Sequence, residues 1–540
     1  QNICRKLIYL LLLMVMAFIS ITILFLKLYC PGTFFEFALS TDYITDYIPN
    51  LLIFGIFLVL SVLSVFLVRK KSSHKNSHPR GLLLKKTFLG KLSPKRQFLI
   101  WGLLLFALEL FLLYNLYFLF GRDTNAIRIA AENFVGGTLD EEYNLTYFQG
   151  APNNLGLYFF HVLLYKIAAP LPISGYALAS IVGCCFVSIS AYLVALCLYT
   201  MTGKVNTARL GFFLFAAIAG ISPWTYVPYT DTLAMPFPIL TFYIYLRLKD
   251  KKMSPFVKWF CIGILPFITY HLKALNLIVL IGIILCELLT REYKKGFLKS
   301  LLQPALALAL CFILSKALLY GIRIYLGVER NEALELSCIW YYLALGISTF
   351  SMGAWNPQVV NMMREATTMS QRRSAFFDYF EYFRSVKDPV EYLKLYINKT
   401  QLFYNDGTYG WGHGTDAYHE VFSEPTPLAG LLRNIFYNRA NYGITSDYVE
   451  GYGSYYLYYA GFAQIVWLFC LFGTIGFLIF SIKKGPGYCH NFCLGLIFLG
   501  LFFFFMLFET SSRLIFSYLP FFALMGALFF HMIRSRSNTP

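Results

Sequence analysis

Long apolar runs alternate along the chain with short polar breaks, and the pattern predicts an all-α polytopic membrane protein of about twelve transmembrane helices. Crossing a hydrocarbon core takes about 20 apolar residues. The predicted spans are 7–26, 51–68, 98–120, 176–199, 210–221, 233–246, 259–270, 275–289, 301–320, 455–480, 492–508 and 514–532. The first follows Arg5 and Lys6 without a small-residue cleavage site, so it is expected to be retained. Two stretches break the pattern. In Gly121–Pro170, Ile127, Ala130, Ala131 and Phe134 recur at helical spacing, predicting a surface helix over Thr124–Val135 that Gly136 and Gly137 stop. The run Leu155–Ala169 is too short to span and predicts a second interfacial helix. The second stretch, 321–453, is polar and too long for a linker. Within it Ile339–Ile347 predicts a further surface or re-entrant helix.

Four regions follow: two N-terminal helices with a basic loop (1–96), a membrane core (97–320) carrying the loop 121–175, an extracytoplasmic domain (321–453), and C-terminal spans (454–540). Composition agrees with a membrane protein. The 540 residues are 58% hydrophobic and only 14% charged, against about 25% in soluble domains. The net charge of +17 would suit nucleic acid if it were clustered on a folded face. It sits instead in short loops beside apolar runs, most densely between Arg69 and Arg96, which contains no acid. That is the positive-inside pattern, with membrane lipids as partners, no nucleic acid, and both termini cytoplasmic. Placing 155–169 on the surface also puts Lys204 and Arg209 inside. Asp123 and Asp231 then share the outer face. Glu109 falls within a span, where a carboxyl should face protein rather than lipid.

The candidate chemistry is transfer onto a hydroxyl. Asp123 and Asp231 each stand at an expected helix start, where an Asp can simply cap free backbone amides. Together on one face they suit acid–base work, in which a carboxylate takes the acceptor proton. A phosphate leaving group needs fixed positive charge, for which Arg122, Lys273, Lys316 and Arg513 are candidates. Glu509 and Arg513, four apart, could instead form a structural ion pair. His413, Asp416 and His419 in GWGHGTDAYHE could bind a divalent cation, although a loop stabilised by hydrogen bonds is the better reading. Asn144 and Asn398 begin glycan sequons.

These motifs, in this order, resemble the GT-C superfamily of polyprenol-dependent glycosyltransferases, the group of protein O-mannosyltransferases and aminoarabinose transferases. Asp123 follows the first core helix, two short helices come next, and YFQGAPNNLGLYFF joins them. SPWTYVPYTDTL resembles the second-loop motif with Asp231, TYHLKALNLI a turn with Lys273, and ETSSRLIFSYLPFF a late Glu…Arg…Pro motif. Two extra leading spans and Lys-Ala in place of Lys-Pro depart from the simplest pattern. The resemblance implies a GT-C-like fold and inverting transfer of a sugar from a polyprenyl-phosphate donor at the outer membrane face. The acceptor would be a hydroxyl of a cell-envelope glycan, teichoic-acid-type polymer or glycolipid. Asp123 would be the base and Asp231 an orienting group, with Arg122, Lys273, Arg513 and Lys316 on the phosphate. Tyr147, Asn153, Asn154, Trp411 and His413 would line the acceptor or sugar site, and no metal cofactor is required. Alternatives are a ligase moving a whole lipid-linked glycan chain and a transporter or flippase of lipid-linked saccharides.

Overall fold

The computed structural model describes residues 2–26, 47–73, 92–121, 123–138, 141–290, 297–386, 388–411, 418–421, 426–437, 453–484 and 489–536. The fold is helical, with one two-stranded antiparallel ribbon in which Phe118–Phe120 pairs with Tyr418–Val421. Seven described helices are long and apolar enough to cross a membrane: Ile3–Phe25, Pro94–Leu116, Gly175–Thr202, Ser300–Leu326, Tyr456–Ile482, Cys489–Leu507 and Ser512–Ser535. This corrects the expected twelve. Several remaining apolar runs are helical but short: Val205–Phe215 has 11 residues, Pro236–Leu248 has 13 and Pro255–Thr269 has 15. At 1.5 Å per residue, 15 residues reach about 22 Å, short of a core about 30 Å thick. Apolar composition alone does not separate a span from a short helix buried within the bundle.

Gly175–Thr202 lies at the centre, its first turn capped by Ser174, whose hydroxyl accepts from the Ala177 amide at 3.1 Å. Glu109, on Pro94–Leu116, is fully buried against it and accepts from the Ser188 hydroxyl at 2.8 Å. The carboxyl therefore faces protein, as its cost in lipid demands. By contrast, Ser300–Leu326 exposes Leu302, Leu306, Leu310 and Ile313, an apolar stripe suited to lipid.

One end of the bundle gathers the non-spanning elements, and we call it the site face. Here the helix expected at 98–120 stops at Leu116, and the chain turns extended through Phe118–Phe120. Asp123–Gly136 and Leu155–Ala168 follow, close to the two expected surface helices. The long polar segment contributes the helices Ile339–Ile347, Pro357–Glu365, Met369–Val386 and Pro389–Tyr404. A buried amide cluster ties this segment to the first two helices. Asn50 donates to Asn405 Oδ1 (2.8 Å) and to the Ile23 carbonyl (3.1 Å), and Asn405 donates to Gln401 Oε1 (2.6 Å). Gln401 donates to the Thr22 and Leu26 carbonyls, while Gln464 bridges Asn405 and the Gly407 amide. Every amide in this cluster has partners, which is what buried polar groups require.

Candidate functional site

Asp123 is the first residue of its helix, and both its oxygens accept from tyrosines: Oδ1 from Tyr147 (2.9 Å) and Oδ2 from Tyr229 (3.1 Å). Asn154 in turn donates to the Tyr147 hydroxyl at 2.9 Å, so the YFQGAPNN segment folds back on the carboxylate. Burial pushes the Tyr147 and Tyr229 hydroxyls up, with Asp123 adding to the effect, so both remain protonated donors. Asp123 itself is half-buried and reachable.

Tyr229 belongs to a loop held at several points. The Trp224 indole donates to the Thr408 carbonyl (3.2 Å), and Thr232 donates to the Trp224 carbonyl (2.7 Å). His161 lies 2.9 Å from the Pro228 carbonyl through Nε2. Burial lowers its pKa to about 4, so the ring is neutral and its Nε2–H faces that acceptor. Asp231 lies two residues after Tyr229. Tyr229, not Asp231, is the N-cap residue there, and Asp231 instead pairs through Oδ1 with the Lys273 ammonium. Lys273 is almost completely buried, and burial pulls its pKa down while Asp231 pulls it up. Its charge is committed to Asp231.

Arg513 joins the halves. Its guanidinium lies 5.0 Å over the Tyr229 ring, and its Nε stands 3.9 Å from Asp231 Oδ2, which has no hydrogen-bond partner. Its side chain keeps 27% exposure, so it can reach a ligand. The ion pair weighed for Glu509 and Arg513 does not form. Residues 508–511 lie outside helix, so four-residue spacing does not stack them, and Arg513 turns to Asp231. Glu509 sits within the fields of Arg513, Asp123 and Lys399. Burial raises its carboxyl to about 7, Arg513 opposing and Asp123 reinforcing the shift. Tyr341 and Tyr342 of Ile339–Ile347 feel both Glu509 and Asp123, so that helix lies near the two carboxyl groups.

The pocket thus collects Asp123, Asp231, Lys273, Arg513, Tyr147 and Asn154 from the residues singled out in sequence. Others fall elsewhere. Lys316 is exposed on its helix, over the Phe312 ring at 5.4 Å. Asn153 is exposed beside Asn154. Trp411 is fully buried among Phe118, Phe120 and Trp224, donates to the Phe436 carbonyl, and offers no free face to a sugar. Arg122, His413 and Asp416 lie outside the described residues, as does the side chain of His419. Among the described residues no cluster of three or more His, Cys, Asp or Glu side chains is arranged to hold a metal. Asn398 and Thr400 are buried in a helix, so the second sequon is closed to glycan addition in this fold. Tyr229, Tyr341 and Tyr342 went unnoticed in sequence. Tyr229 stood inside the quoted VPYTD motif, two residues from Asp231.

Fold and site together define a polytopic helical membrane protein with a cluster of charged side chains and tyrosines beside its bundle. The chain belongs to a family described as conserved hypothetical integral membrane proteins, whose model matches residues 8–533. No curated protein and no solved structure matches the chain.

Proposed function

We propose that the protein is a membrane glycosyltransferase that moves a sugar from a polyprenyl-phosphate donor to a hydroxyl of a cell-envelope glycan, teichoic-acid-type polymer or glycolipid. The site face would lie outside the cytoplasm. One observation carries the reading: a single tyrosine, Tyr229, touches the candidate base and the candidate phosphate ligand together. Its hydroxyl donates to Asp123, and its ring carries Arg513. Carboxylate and cation are therefore held a side chain apart, as transfer onto a hydroxyl with a phosphate leaving group needs.

In this reading the acceptor hydroxyl approaches the half-buried Asp123, which takes its proton as the hydroxyl oxygen attacks the sugar carbon. Attack opposite the departing phosphate inverts that carbon. Arg513 receives the negative charge that develops on the phosphate, and Asp231, held by Lys273, fixes the guanidinium. Tyr147 and Tyr229, each donating to one of its oxygens, hold the Asp123 carboxyl in place.

The test is purified protein in lipid nanodiscs, given a polyprenyl-phosphate sugar and a hydroxyl acceptor, with release of polyprenyl phosphate as the readout. Asp123→Asn should lower turnover by roughly 10²–10⁴-fold while lipid binding persists. Unchanged turnover in that variant overturns the assignment, and lipid movement without bond cleavage would favour a flippase.

A further inference from the structure

Lys399 is fully buried in Pro389–Tyr404, a position where a lysine is costly unless every proton is used. Here all three are. Nζ donates to the carbonyls of Gly346 (2.8 Å), Met506 (2.9 Å) and Phe508 (2.8 Å). Gly346 O lies in the last turn of Ile339–Ile347, and Met506 O in the last turn of Cys489–Leu507. The ammonium therefore sits where two helices present unpaired carbonyls and the negative ends of their dipoles.

Its third acceptor, Phe508, is the residue immediately before Glu509. The residue immediately after, Thr510, donates its amide to the Gly353 carbonyl at 2.7 Å. Gly353 has φ +84, and a Cβ there would come within 2.4 Å of Thr510 Oγ1 and 3.1 Å of Lys399 Nζ. At Gly346 a Cβ would meet the Leu507 carbonyl at 2.1 Å, so that helix rests directly on the backbone it grips. Glu509 is thus bracketed on both sides by the long polar segment, and the chain so held runs four residues on to Arg513.

We propose that Lys399 is a positioning residue: its ammonium clamps the end of Cys489–Leu507 so that the segment 508–513 delivers Glu509 and Arg513 into the pocket. The clamp concerns that segment and stands on the contacts above. Its effect on catalysis rests on the glycosyltransferase reading. The charged group facing Lys399 is Glu509 on the clamped segment, itself within reach of Arg513 and Asp123. Burial lowers the lysine's pKa to about 7, with Glu509 pulling it back up. A neutral amine has only two N–H groups, so one of the three carbonyls loses its donor as pH rises past that value.

Hydrogen exchange of peptides covering 506–513, corrected for intrinsic rates, reads the clamp without any substrate. Lys399→Met should speed their exchange at least about tenfold, because charge-assisted hydrogen bonds are lost. Wild-type exchange in the same peptides should accelerate between pH 6 and 9 more steeply than in the variant, which keeps only the Glu509 titration. Unchanged exchange in the variant overturns the clamp. Should Lys399→Met fail to fold, Gly353→Ala disturbs the same segment with the charge intact, and unchanged exchange in that variant overturns the clamp. In parallel, Lys399→Met should raise KM for the polyprenyl-phosphate sugar about tenfold with a smaller effect on kcat. Fast exchange with unchanged KM sinks the positioning role. Absence of turnover in the wild type counts against the glycosyltransferase reading and leaves the clamp to the exchange data.

Discussion

Two buried polar clusters lie at the site face, and they are built on opposite rules. The amide cluster of Asn50, Gln401, Asn405 and Gln464 is neutral, and each side chain finds a partner. The pocket of Asp123, Asp231, Lys273, Arg513 and Glu509 is charged, and Asp231 Oδ2 is left without a hydrogen bond. A satisfied neutral network fastens elements and asks nothing of a ligand. A charged network with an orphaned oxygen stores unmet electrostatic demand, which is common where a protein binds or reacts.

Breaking each cluster should expose the difference. The largest effect is expected for Lys273→Met, which strands a buried carboxylate and should cost about 3–5 kcal/mol. Adding Asp231→Asn should restore part of that loss, and chemical denaturation in detergent would measure the coupling. In the amide cluster Asn405→Leu should cost about 1–3 kcal/mol, from partners left unsatisfied. A loss there as large as that of Lys273→Met would erase the contrast. Tyr229→Phe should be smaller again for stability, about 1–2 kcal/mol, yet should depress turnover because it frees Asp123 and removes nothing else polar.

The smallest expected effect is in pH dependence, and its sign differs by group. Glu509 and Asp406 are raised by burial to about 7 and about 6, so between their ordinary values and those values the folded state binds more protons. Their contribution is lost as pH rises through that range. Lys399 is lowered to about 7, so the unfolded state binds more protons from there up to its ordinary value, and stability recovers as pH climbs. Melting temperature against pH should show a shallow minimum near neutrality, with its acidic limb weakened in Glu509→Gln. The amide cluster contributes no slope.

The sequence made part of this pocket readable. Asp123, Asp231, Lys273 and Arg513 were recognisable because each ends or begins an apolar run, and such positions fall at bundle ends. Lys399 gave no such signal: in YLKLYINKTQLFY it looks like a solvated lysine on an amphipathic helix, and only the fold reveals three backbone carbonyls around it. Trp411 misled for the converse reason, since a Trp in a Gly-rich polar stretch resembles a sugar platform until its neighbours close over it. The helix count failed because short buried helices and true spans share the same apolar composition, and length differs by only a few residues.

The ribbon beside Asp123 bears on how the protein is made. Phe118–Phe120 leads straight into the pocket, and its partner strand, Tyr418–Val421, is translated some three hundred residues later. Arg513 arrives later still. A ribosome that has inserted the first half of the helices holds a carboxylate with no cation opposite it, and pairing over such separations is slow. The charged cluster is therefore complete only once the final helices are in place.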